Sequence, residues 1–271
     1  MRSIKAVLLS CCFFIVQNTF AQPLVYTTAN AHSHNDYEQA NPFVLAYQEQ
    51  FGSIEADIHL VNGELLVGHD AKKLKSTNTL ASLYLNPLKE QIQKNGGSPY
   101  TDPLRPLQLL IDQKTEAIST LNALVRLLNQ YPSIINNRLI RIVISGNRPE
   151  NFASYPAFIW FDGILGTTYS TANLAKIALL SIDFTSLVKK VFPLAITTEE
   201  NEKLVTLITA AHQQKKPVRF WATPDYAKAW ETLIALKVDY INTDHISALA
   251  DFLVQNNSSL QRMPYNRLIH S

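Results

Sequence analysis

The chain has 271 residues, 46% of them apolar and 17% charged, with 24 Lys and Arg against 22 Asp and Glu. That balance suits a globular chain able to bury a core, and it excludes disordered, collagenous and coiled-coil proteins. The charge near zero also argues against a nucleic-acid binder, which would show a basic excess or stripe.

Residues 1–21 read as a signal peptide, leaving 22–271 as a single domain. Arg2 and Lys5 make a positive start, 6–16 is an apolar run, and Thr19-Phe20-Ala21 ends on a small residue before Gln22. The run is too short to span a bilayer, and no later segment reaches about 18 uninterrupted apolar residues. A secreted or periplasmic location is therefore expected. Leu9-Ser10-Cys11 offers a weaker lipoprotein alternative. Both cysteines, Cys11 and Cys12, fall in the leader, so the remainder carries no disulfide framework and no thiolate chemistry.

From about residue 24 short β-rich runs alternate with helical ones. The patterns predict strands over 26–34, 53–60, 107–114, 139–145, 161–167, 179–184, 218–222 and 238–243. Segment 192–197 competes for the sixth strand. Helical spacing marks 41–50, 116–130, 199–214, 226–236 and 247–254. The stretch 72–100 lacks a clear strand and is read as the second helix plus a loop ending in Gly96-Gly97. No internal repeat is visible. Eight strands alternating with helices predict a closed parallel barrel or a doubly wound sheet.

Polar residues recur at i, i+2 near the predicted strand ends: His32 and His34, Glu55 and Asp57, Asp112 and Lys114, Arg219 and Trp221, Asn242 and Asp244. On a strand such pairs share a face. In the second strand the alternate positions Ile54, Ala56 and Ile58 are apolar, so the acidic pair faces a barrel interior. Polar groups at the C-terminal ends of parallel strands are where barrel sites are built.

Glu55, Asp57 and Asp112 would repel one another, and one hard divalent cation, Mg²⁺ or Ca²⁺, would relieve that. A salt-bridged trio with Lys114 is the structural alternative. His34 and His69, each before a polar loop, could serve as general base and general acid. His32 reads as an orienting or packed strand residue and His59 as structural. The pair His32 and His34 also raises an amidohydrolase-type metal hydrolase, but no His occurs between His69 and His212 to complete such a ligand set.

Three segments carry a resemblance: Ala31-His32-Ser33-His34-Asn35-Asp36-Tyr37, Ser53-Ile54-Glu55-Ala56-Asp57-Ile58-His59-Leu60, and Asn62-Gly63-Glu64-Leu65-Leu66-Val67-Gly68-His69-Asp70. They resemble the phospholipase C-like phosphodiesterase superfamily, which includes glycerophosphodiester phosphodiesterases, phosphatidylinositol phospholipases C and sphingomyelinases D. The nearest likeness is to the branch of the altered-inheritance-of-mitochondria proteins. Weaker support comes from Leu110-Ile111-Asp112-Gln113-Lys114, Val143 to Pro149, Val218 to Asp225 and Tyr240 to Asp244. The resemblance implies a somewhat irregular (β/α)8 TIM barrel and a metal-dependent phosphodiesterase acting on a small-molecule or lipid phosphodiester. It implies His34 and His69 as catalytic, Glu55, Asp57 and Asp112 as ligands of Mg²⁺ or Ca²⁺, and Lys114 as facing the phosphate. Asn35 stands where glycerophosphodiesterases carry Arg. Trp221 is expected at the barrel mouth, against a headgroup or lipid stem, or in the core. A catalytically silent barrel binding a phosphorylated or sugar ligand is the remaining alternative.

Overall fold

The structure, a computed structural model, describes residues 25–261. Thr27 caps a 3-10 turn at Thr28–Asn30, so the first strand, β1, is only Ala31–Ser33, shorter than its β-rich run suggests. Then come α1 (Val44–Gln48), β2 (Ser53–Val61) and β3 (Glu64–Val67). Asn62 (φ 50°) and Gly63 (φ 87°) both adopt positive φ, the two-residue turn whose twist suits an antiparallel hairpin. A π-helical turn at Ala81–Leu85 runs into α2 (Asn86–Lys94), the helix expected between 72 and 100.

The remaining elements are β4 (Leu107–Gln113), α3 (Ala117–Leu128), α4 (Pro132–Ile135), β5 (Ile140–Gly146), β6 (Ile159–Ile164), α5 (Thr171–Ala175) and β7 (Ile177–Asp183). A small hairpin follows, β8 (Lys190–Val191) with β9 (Leu194–Ala195), then α6 (Thr198–Gln213), β10 (Val218–Trp221), α7 (Ala227–Ala235), β11 (Ile241–Thr243) and α8 (Ile246–Gln261). The sixth barrel strand is thus β7, and the competing segment forms the small hairpin instead.

The strands line up as β10-β7-β6-β5-β4-β2-β1-β11, every neighbouring pair parallel. A parallel bridge between Arg219 and Tyr240 brings the two ends of that order together. Eight strands therefore close nearly into a ring with helices outside, the TIM-barrel architecture, and the doubly wound alternative falls. The pleat sorts the side chains. Ile54, Ala56, Ile58, Leu109, Ile111, Ile142, Ile144 and Phe161 are buried outward, in one core with Leu121, Leu124 and Leu128 of α3 and Leu204 and Ile208 of α6. Each of these Ile, Leu and Phe side chains contributes about 1.5–3 kcal/mol on burial. Inside the ring, Val143, Ala178 and Leu179, with Trp160 and Tyr240, form a separate apolar plug. Its apolar filling leaves the polar inward positions of the ring to gather toward the C-terminal strand ends.

Candidate active site

The interior polar layer is built from β1, β2, β4, β5, β6, β7 and β10. His32 Nδ1 lies 2.8 Å from Ser53 Oγ, and Gln108 donates to the same oxygen at 2.9 Å. His32 Nε2 faces both Arg219 NH1 at 3.0 Å and Glu55 Oε2 at 3.3 Å. A guanidinium can only donate, so Nε2 accepts from Arg219 and the imidazole is neutral, with its proton on Nδ1 toward Ser53. Burial, with the adjacent Arg219 charge, lowers His32 to about 4, which agrees. Arg219 is 3% exposed and pairs with Asp162 at 3.3 Å; Ser145 and Ser181 also donate to that carboxylate. Burial pushes the Glu55 carboxyl up, but its contact with His32 and the charges of Arg219 and His34 outweigh this and hold it well below the usual range.

Above this layer the predicted carboxylates converge. β2 and β4 pair with Asp57 opposite Asp112, and Glu55 lies two residues before Asp57 on the same face. One oxygen from each of Glu55, Asp57 and Asp112 lies within 4.8 Å of the others. Burial and the Glu55 charge raise Asp57. Burial raises Asp112 too, helped by Asp57 and Glu55 and opposed by Lys114. Lys114, just past β4, sits 3.0 Å from Asp57 and 3.2 Å from Asp112. Burial lowers its ammonium, but these two carboxylates outweigh that and raise it. The salt-bridged arrangement is therefore present, yet it leaves Asp112 Oδ1 buried with no hydrogen-bond partner among the described residues. Three clustered hard oxygen donors, one of them unsatisfied, fit a divalent cation of the Mg²⁺ or Ca²⁺ kind.

Two imidazoles flank the cluster. His34 follows β1; its Nδ1 is 2.8 Å from Asp244 Oδ1, and its Nε2 is 4.0 Å from Glu55. Burial would lower His34, but the Asp244 hydrogen bond and the charges of Glu55 and Asp244 prevail and raise it. His69 is carried by the β2–β3 hairpin, which folds back so that Gly68 donates to the Asp57 carbonyl at 3.1 Å. Its Nδ1 is 3.3 Å from Asp57 Oδ2 and 3.3 Å from the Tyr37 hydroxyl. Asn35 adopts φ 47°, a left-handed conformation that Asn tolerates better than most residues. Its Nδ2 lies 2.9 Å from His34 Nδ1 and 3.4 Å from Asp244 Oδ1, and the Tyr37 hydroxyl lies 2.7 Å from both Asn35 Oδ1 and Asp57 Oδ2. His59 is structural, bonded to the Gly68 carbonyl.

All eight singled-out positions, His34, Asn35, Glu55, Asp57, His69, Asp112, Lys114 and Trp221, line one cavity of about 650 Å³ at the C-terminal strand ends. Trp221 is 41% exposed there, so it is a mouth residue and not a core one. Sequence reasoning did not assign Asp244, Tyr37, Arg219 or Arg148 to the site. Asp244 and Arg219 each stood in an i, i+2 pair; Tyr37 and Arg148 carried no such signal.

The family model of the AIM6-like phosphodiesterase domain matches residues 24–152. The glycerophosphoryl diester phosphodiesterase family matches 217–246. Altered inheritance of mitochondria protein 6 of Eremothecium gossypii is 28% identical over 268 residues, 82% of this chain and 68% of that one. The homolog from Arthroderma benhamiae is 28% identical over 255 residues, 80% of this chain and 81% of that one. A glycerophosphodiester phosphodiesterase from Parabacteroides distasonis has the same fold, with a TM-score of 0.52 and 15% identity over 84% of this chain and 98% of its own. These relatives correct the expected secreted or periplasmic location: they are fungal proteins named for mitochondrial inheritance, from cells with no bacterial periplasm. The leader on which that expectation stood lies outside the described residues. Among the described residues no helix is long and apolar enough to cross a membrane.

Proposed function

We propose that this phosphoric diester hydrolase, matched over residues 24–152 by the AIM6-like phosphodiesterase domain model, cleaves its substrate at the barrel mouth by acid–base catalysis between His34 and His69. The observation that carries the reading is the pairing of each imidazole with a carboxylate on Nδ1, on either side of one acidic cluster. Glu55, Asp57 and Asp112 would hold one divalent cation, Mg²⁺ or Ca²⁺. When bound, that cation supplies Lewis-acid polarisation of a phosphoryl oxygen.

Asp244 holds the Nδ1 proton of His34 and favours the imidazolium, so His34 Nε2 is the proton donor to the leaving alkoxide. His69, with Nδ1–H directed at Asp57, presents a basic Nε2 to the attacking hydroxyl or water. The attacker can be water or a neighbouring hydroxyl of the substrate, the latter giving a cyclic phosphate. Lys114 adds positive charge where the transition state gains negative charge. Asn35 steadies the Asp244 carboxylate at the same mouth. Trp221, Ile164 and Ile182 line the cavity with apolar surface, which suits the carbon-rich arm of a glycerophosphodiester or a phospholipid headgroup.

Purified protein should hydrolyse at least one member of a phosphodiester panel with Mg²⁺ or Ca²⁺, and chelation should abolish that turnover. His34→Ala and His69→Ala should each lower the rate by about 10²-fold or more with the fold intact. A panel without turnover would sink the reading in favour of a silent binding barrel. Near-wild-type activity of either variant would remove that histidine from the mechanism.

A further inference from the structure

We propose that Arg148 is a substrate-binding residue of this site, its guanidinium binding a non-bridging oxygen of the substrate phosphate; this rests on the phosphodiesterase reading above. Three cationic side chains other than His line the cavity: Lys114, Arg148 and Arg219. Lys114 is neutralised by Asp57 and Asp112, and Arg219 by Asp162. Arg148 has no carboxylate within ion-pair distance among the described residues. Beside the cation site of Glu55, Asp57 and Asp112, Arg148 is thus the cationic side chain of the cavity whose charge no carboxylate engages, and it is free to meet an entering anion.

The geometry favours a bidentate role. Arg148 NH1 donates to the backbone carbonyl of Asp162, which fixes the plane of the fork without consuming its charge. No other hydrogen bond engages the guanidinium among the described residues, so its remaining donors are free for a phosphate. The loop beneath is held too: Asn147 N donates to Gln113 O and Asn147 Nδ2 to Thr115 O, both at 2.9 Å. Ordering before binding reduces the entropic cost of the contact. Asn35 does not compete for the anion, because its amide is engaged with His34, Asp244 and Tyr37. The guanidinium thus comes from the loop after β5, not from the position following His34.

The test is steady-state kinetics of Arg148→Gln and Arg148→Lys on bis(p-nitrophenyl) phosphate with Mg²⁺, with thermal melts for folding. Arg148→Gln should raise KM about tenfold or more without moving the pH profile, and Arg148→Lys should recover part of the loss. An unchanged KM in a folded Arg148→Gln would refute the assignment. Should the wild type turn over no diester, the phosphodiesterase reading fails by itself. Calorimetric binding of inorganic phosphate then decides Arg148 separately. About tenfold weaker binding in Arg148→Gln supports the role; equal affinity, or no binding by the wild type, overturns it.

Discussion

Gly146 ends β5 at φ 68°, and the space its missing side chain leaves is filled by the acidic cluster. A Cβ there would lie 1.9 Å from Asp112 Oδ1 and 2.6 Å from the Gln113 carbonyl oxygen. Ordinary contact needs more than 3 Å, so the carboxylate must swing away, since the Gln113 carbonyl is fixed by the Asn147 amide at 2.9 Å. For Gly146→Ala the left-handed backbone costs about 1–2 kcal/mol, and forcing a group into a filled site adds about 1–3 kcal/mol. Gly63 is the internal control: its φ is 87° with nothing within 4 Å, so Gly63→Ala carries the backbone cost alone. Urea titrations should therefore place Gly146→Ala about 1–3 kcal/mol below Gly63→Ala. Thermal melts with and without Mg²⁺ add a second readout. The cation-linked rise in Tm should persist in Gly63→Ala and shrink in Gly146→Ala, because only the latter displaces Asp112. Equal stability of the two variants, with equal responses to Mg²⁺, would refute both the packing argument and the link from Gly146 to the cation.

Two further outcomes follow from the same geometry. The folded-state pKa of His34 is raised, so its contribution to stability is fully present below the unfolded value of about 6.5 and is lost as pH rises through the folded value. Asp244→Asn should weaken that loss across pH 6.5 and above, and should shift the corresponding limb of the kcat profile to lower pH. Identical pH dependence of the two proteins would exclude the Asp244 contribution. Asp57→Asn keeps the shape of the side chain but removes one negative charge, so it should weaken Mg²⁺ or Ca²⁺ binding in a direct titration more than it lowers Tm without cation. Undiminished cation affinity in Asp57→Asn would take that residue out of the ligand set.

Period and composition made much of the barrel legible. All eight barrel strands fall on β-rich runs of the sequence, because a strand buried on its outer face by helices must be apolar at alternate positions, as Ile54, Ala56 and Ile58 are. Boundaries were less visible. Thr27 caps a 3-10 turn through the first half of the expected opening strand, and such a local hydrogen bond competes with extended structure without altering apolar content. The short helices at Pro132–Ile135 and Thr171–Ala175 were missed, since one turn is too brief to show a period of 3.6. The strand reading passed over the Asn62-Gly63 turn, whose hairpin brings His69 to Asp57.

The site divides along the same physical line. Glu55, Asp57 and Asp112 were legible because two adjacent strands in register put their same-parity residues side by side, so local pattern sufficed. Asp244 and Arg219 needed ring closure. Asp244 is 210 positions from His34 in sequence, and only the neighbouring of β11 and β1 sets them 2.8 Å apart. Arg219 is 187 positions from His32, and the two meet only because β10 and β11 come together at the ends of the strand order. Each of these long-range contacts fixes the charge of a group that local pattern had already identified. Asp244 favours the protonated His34, and the Arg219 charge helps lower both Glu55 and His32. Strand pattern thus marks which groups share a face, whereas ring closure sets the protonation states on which acid–base chemistry depends.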